Sequence, residues 1–214
     1  MTLQPREARG VALRLLIWLP ILFWLASTWD WHYGQFFLPL YREVLDLALP
    51  DFSVASFEIA RTHEYVFKAK VLAENIMVRE GQVLPAGFTV DARTPVYAAL
   101  THPIVLAASA LAWSALTWRG RLLRLLLSLP FLVLLEILDV PLVLASSIND
   151  HLTFGLNPQA DAASALIDWV HVLDGGGRLA LCIAASIAAA WLHHVLERAA
   201  KPLRRMPTDE SPPK

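Results

Sequence analysis

LLRLLLSLPFLVLLEILDVPLVLASS, residues 122–147, is long and apolar enough to cross a bilayer, yet it carries Glu136 and Asp139. Their i, i+3 spacing puts both acids on one face of a helix. An acid inside a spanning helix costs a few kcal/mol, so it usually faces a partner or water rather than lipid. At about 1.5 Å per residue from Leu122, Glu136 lies roughly 21 Å in and Asp139 roughly 25 Å in. In a hydrocarbon core about 30 Å thick, both fall near the far interface. Pro141 removes one backbone donor and frees the carbonyl of Ile137, which loosens the helix beside the acids. Two roles stay open for the pair: holding helices together, or a working polar site.

The rest of the chain fits a membrane setting. Of 214 residues, 56% are hydrophobic and 17% charged, the latter below the usual quarter of a soluble domain. Mean hydropathy is +0.48. Four segments are candidate spans: residues 11–29, 104–118, 122–147 and 179–195. The second is short unless its helix starts at Pro95 with Thr94 as N-cap. Net charge is −1, and eleven of the 18 basic residues fall in three short segments. These are Arg6, Arg9 and Arg14 before the first span, Arg119, Arg121 and Arg124 at the turn before the third, and Arg198, Lys201, Arg204, Arg205 and Lys214 after the fourth. The positive-inside rule makes that side cytoplasmic and leaves both termini inside. Trp18, Trp24, Trp29 and Trp31, without an A-x-A site, favour an uncleaved first anchor. Trp29, Trp31 and Tyr33 suit an aromatic belt where it exits.

Residues 35–49 read as a separate amphipathic helix. Phe36 or Phe37, Leu40, Tyr41, Val44, Leu45 and Ala48 form one stripe, with Arg42, Glu43 and Asp46 opposite. Its mixed polar face favours roofing a small domain over lying on a leaflet. After Pro50 the period changes to two. Phe57 and Ile59, then Tyr65, Phe67, Ala69 and Val71, give two strands joined near Arg61–His63. Residues 76–79 and 88–93 form a further expected pair, separated by Gly81 and Pro85-Ala86-Gly87. About 40 residues of sheet are too few for a sizeable core alone. Small residues in the second and fourth spans suit close helix contact. Residues 161–173 read as a short outer helix, 174–177 as a flexible corner, and 206–214 as a disordered tail.

Depth counting also brings other polar residues level with the acids. Going 14 to 17 residues back from Trp118 reaches Ile104 to Thr101, beside His102. The same count from Leu196 reaches Cys182 to Leu179, beside Arg178. Glu136, Asp139, His102 and Arg178 are therefore expected to cluster near the outer interface as a helix-packing or partner-contact site. A proton or ion path through the acids is disfavoured by four spans, no repeat and no polar continuation inward. A thiol site with Cys182, His102 and Arg178 is the lesser alternative, since a lone Cys in an Ala-rich helix is usually packing. His193-His194 read as interfacial, and His63, His151 and His171 show no metal spacing. There is no P-loop, and the glycines at 175–177 do not follow a strand. No basic, aromatic-interleaved face suggests nucleic acid. No catalytic residue, metal or cofactor is expected.

Leu100-Thr101-His102-Pro103-Ile104-Val105-Leu106-Ala107-Ala108 and Leu138-Asp139-Val140-Pro141-Leu142-Val143-Leu144, within a layout of anchor, outer β domain and three further helices, resemble the exosortase H-associated membrane protein family. That resemblance implies a bacterial inner-membrane accessory beside an exosortase, a polytopic transpeptidase-like enzyme that processes sorting tails of exported proteins. Exosortases carry Cys, Arg and His in that chain order. Here the order is His102, Arg178, Cys182, so the chain does not look like the enzyme itself.

The expected fold is an α-helical polytopic membrane protein with four transmembrane helices, both termini cytoplasmic, and a small extracytoplasmic α+β insert. Residues 1–33 form the basic tail and first anchor. Residues 34–94 form the insert of antiparallel sheet plus amphipathic helix. Residues 95–197 hold the other three helices with an outer loop at 148–178, and 198–214 form the cytoplasmic tail. The expected function is a non-enzymatic accessory that binds the bilayer and a polytopic, exosortase-type partner. The alternative is a stand-alone membrane enzyme or transporter using His102, Glu136, Asp139, Arg178 and Cys182.

Overall fold

The computed structural model describes residues 5–79, 82–113, 117–156 and 164–203. Its first element, α1, runs without interruption over Pro5–Ala48, 44 residues, or about 66 Å at the α-helical rise. The anchor and the amphipathic helix expected as separate pieces are therefore one rod. Gly34, which lies between the two expected pieces, serves a close contact. A Cβ there would lie 2.6 Å from Ile59 Cδ1 and 3.2 Å from the Phe67 ring, so the sheet presses directly on the helix backbone. Past Gly34, Phe37, Tyr41, Leu45 and Leu49 are buried at every fourth residue. Arg42, Glu43 and Asp46 are exposed, as the stripe predicts.

Strands β1 (Phe52–Arg61), β2 (Tyr65–Ala73) and β5 (Thr89–Pro95) form one antiparallel sheet in the order β1-β2-β5. Strands β3 (Met77–Arg79) and β4 (Gln82–Leu84) form a separate two-stranded ribbon. The β1–β2 hairpin follows the predicted alternation, with Ile59 opposite Phe67 and Phe57 opposite Ala69. The third and fourth expected strands exist but do not pair with each other. Of the expected residues 76–79, Met77–Arg79 pair with β4, and β5 pairs with β2, setting Val90 opposite Val71, Ala92 opposite Ala69 and Thr94 opposite Phe67. The buried residues of β5 thereby extend the buried face of β2. A turn through Gly87, at φ +83°, brings the chain back, a conformation that glycine adopts at no steric cost.

The sheet has no core of its own. Phe67, Val71 and Val90 share one apolar cluster with Tyr41 and Leu45 of α1, Val96 of the next helix, and Leu144 and Ile148 from the far part of the third apolar stretch. This fits the argument that the insert is too small to stand alone.

Helix α2 is Val96–Ala112, 17 residues, with Pro95 at its N-cap and no side-chain cap. Thr94 stays in the strand and does not cap it, because pairing with β2 continues through Pro95 opposite Val66. Trp118, expected to end this span, instead opens α3, which is capped by the Thr117 hydroxyl accepting from Gly120 N–H. Among the described residues, three helical stretches are long and apolar enough to cross a membrane: Arg9–Ala48, Trp118–Thr153 and Ala165–Ala199. Helix α2 is apolar but shorter.

The stretch that opened the reading is not one helix. α3 (Trp118–Leu138) ends at Asp139, whose φ −101° and ψ −86° are non-helical, and α4 (Val140–Leu156) follows at once. The chain turns at the acid itself, with Pro141 in the first turn of α4, where its missing N–H is not needed. Beyond it, α5 (Ala165–Val172) passes through a wide helical turn at Leu173–Gly177 into α6 (Arg178–Leu203). The expected flexible corner is thus a helical kink, with Gly176 at φ +104°. The start of the expected 161–173 helix and the 206–214 tail lie outside the described residues. The small residues of α2 and α6 meet, with Ser109 donating to Ser186 Oγ at 3.0 Å.

Candidate functional site

At the break before Pro141, Asp139 has a polar partner. Asp139 and Arg178 form a two-pronged ion pair, Nε to Oδ2 at 2.7 Å and Nη2 to Oδ1 at 3.0 Å. Arg178 Nη1 donates to Asp174 Oδ1 at 2.6 Å. This paired geometry is the strong form of a guanidinium–carboxylate contact. Turning the chain at Asp139 leaves the Leu138 carbonyl to an outside donor, and the Trp169 indole N–H supplies it at 2.7 Å.

One turn earlier on α3, Glu136 is fully buried and has three partners. The Tyr33 hydroxyl donates to Oε1 at 2.5 Å, the Tyr41 hydroxyl donates to Oε2, and His102 Nδ1 lies 3.0 Å from Oε1. The other nitrogen of His102, Nε2, is 3.3 Å from Asp139 Oδ2. The imidazole therefore bridges the two acids. Neutral imidazole has one donor and one acceptor nitrogen. Two carboxylates facing both nitrogens require either an imidazolium or one protonated carboxyl, so this trio holds a proton in common.

The result is one continuous polar chain: Tyr33 and Tyr41, Glu136, His102, Asp139, Arg178, Asp174. It links α1, α2, α3 and α6 at the end of the bundle that carries the sheet. Isolated buried charges in a helical bundle are costly, and pairing with full hydrogen bonding offsets that cost. Arg178 and Asp174 also line a polar cleft of about 390 Å³ with Arg93, Tyr97, Ser146 and Asp150.

Glu136, Asp139, His102 and Arg178 thus come together. Cys182 does not join them by any hydrogen bond. It is buried against Leu106, Leu135 and Ala185, with no cation in contact to favour a thiolate. Among the described residues no group of three His, Cys, Asp or Glu side chains is disposed to hold a metal ion. Sequence reasoning missed Tyr33 and Tyr41, and it assigned Tyr33 to an interfacial belt. The signal was present: Tyr33, Phe37, Tyr41 and Leu45 recur every four residues, a single helical stripe once residues 29–49 are read as unbroken. Trp29 and Trp31 do remain exposed. Compared with known proteins, the chain matches no family model, no curated protein and no solved structure.

Proposed function

We propose that the chain is a non-enzymatic inner-membrane accessory protein that presents a small extracytoplasmic domain to a polytopic membrane partner. Both termini are cytoplasmic in this reading, by the distribution of basic residues. The partner class, an exosortase-type transpeptidase, follows from the resemblance of residues 100–108 and 138–144. The observation that carries the reading is the double role of Tyr41. Its ring packs edge-on against Phe67 of the sheet at 5.2 Å between centroids, while its hydroxyl donates to Glu136 among the helices. One residue locks domain and bundle into a rigid unit, which suits a part that positions a partner. The polar chain is built as a clasp, with each acid held by several donors. Thiol chemistry draws no support from the apolar surroundings of Cys182.

The test is gentle detergent extraction of the tagged chain from native membranes, with identification of what co-purifies. A near-stoichiometric membrane protease or transpeptidase is the expected result, and a Cys182→Ala variant with no phenotype argues against thiol chemistry. Recovery of this chain alone, as monomer or homo-oligomer, overturns the accessory reading.

A further inference from the structure

The opposite end of the bundle is built differently. Arg124, only 8% exposed, lies over the Trp113 ring at 5.0 Å, and its buried Nε has no hydrogen-bond partner. The buried Nε of Arg121 and Nε2 of His193 are likewise unpartnered. Arg121 and Arg124 share a face of α3 by i, i+3 spacing, and α3 packs on α6. The nearby carboxylate is Glu197, which acts on Arg124 through space. It is half exposed and stands 3.8 Å from His193 Nε2, beyond hydrogen-bond reach. A buried, charged donor without an acceptor costs more than an ordinary lost hydrogen bond, so these groups call for an anion with several oxygens.

A second feature says what carries that anion. One turn along α3 from the two arginines, Leu125 and Ser128 open an apolar groove of about 360 Å³ between α2 and α3, lined further by Pro103, Leu106, Leu126 and Leu129. Arg121 and Arg124 stand next in sequence to Leu122 and Leu125 of the groove lining, and a basic head site beside an apolar groove, near Trp113 and Trp118, matches a molecule with a phosphate head and a hydrocarbon tail. We propose that this is a binding site for an acidic phospholipid, its phosphate on Arg121, Arg124 and His193 and one acyl chain along the α2–α3 groove. Basic pockets between apolar helices suit such headgroups. The inference is independent of the accessory role.

The experiment is native mass spectrometry of the full chain in mild detergent, after equilibration with phosphatidylglycerol, with phosphatidylcholine, or with inorganic phosphate alone. The expected result is one phosphatidylglycerol retained per chain, about tenfold over phosphatidylcholine, a preference of about 1.4 kcal/mol. Arg124→Gln should abolish that preference, and Leu126→Trp, which crowds the groove from an exposed position, should cut retention. Arg119→Gln, at an exposed residue, should change neither. Equal retention of the two lipids, both of which carry a phosphate, overturns the assignment to an acidic phospholipid. Binding of inorganic phosphate as strong as that of the lipid, or retention unaffected by Leu126→Trp, overturns the lipid assignment. The wild-type comparison of lipids stands even where Arg124→Gln fails to fold.

Discussion

The two ends of the helical bundle both bury charge, and they treat it in opposite ways. At the sheet end, Glu136 and Asp139 hold hydrogen bonds from Tyr33, Tyr41, His102 and Arg178. At the far end, Arg121, Arg124 and His193 keep buried nitrogens without acceptors. A closed network of this kind rigidifies a fold, whereas an open one is an unmet demand. The Glu136–Asp139 network is therefore closed within the chain, and at that end only Asp150 Oδ1, in the neighbouring polar cleft, is buried without a partner among the described residues. The far end is complete only with something added, which separates a structural clasp from a binding site.

That contrast can be broken by substitution. The largest effect is expected for Glu136→Ala, which strands two tyrosine hydroxyls and one face of His102. A loss of about 3–5 kcal/mol is expected, read as a collapse in the yield of folded protein and in its melting temperature in detergent. Asp139→Asn should cost less, about 2 kcal/mol, because Arg178 keeps Asp174. Combined with Arg178→Gln it should cost less than the sum of the two single changes, a coupling that a double-mutant cycle measures. An additive result would mean that the ion pair does not hold the bundle.

Smaller effects sharpen the comparison. Cys182→Ala trims one atom from an apolar contact and should cost about 1 kcal/mol with no change in partner recovery. Arg124→Gln should shift stability by less than about 1 kcal/mol in detergent free of acidic lipid, since the charge there has only a ring contact and the through-space pull of the half-exposed Glu197. Adding phosphatidylglycerol should raise the melting temperature of the parent protein and leave the variant where it was. A large cost for Arg124→Gln without lipid would make the far end a second clasp.

Much of this was legible before any coordinates. The apolar runs, the strand alternation at Phe57, Ile59, Phe67 and Val71, and the buried stripe of Phe37, Tyr41 and Leu45 are local patterns, set by the helical and strand periods. The level of His102, Glu136, Asp139 and Arg178 along the bundle also followed from sequence. Rise per residue is constant, and α2 ends at Ala112 shortly before α3 begins at Trp118, so both can be counted from nearby positions in the sequence. Depth is one-dimensional and can be counted.

What could not be counted is which way each element faces. The continuity of α1 through Gly34 depends on Ile59 and Phe67 pressing against it from the sheet. The pairing of β5 with β2 depends on two buried faces meeting across a long connection. Pro141 marks a loosened helix in the sequence, but the partners at the break, Arg178 on another helix and Trp169 at the Leu138 carbonyl, come from far along the chain. The two tyrosines reach Glu136 only because one unbroken helix runs past it. Each is a contact between residues distant in the chain, and local periodicity holds no information on the azimuth or register that makes them neighbours.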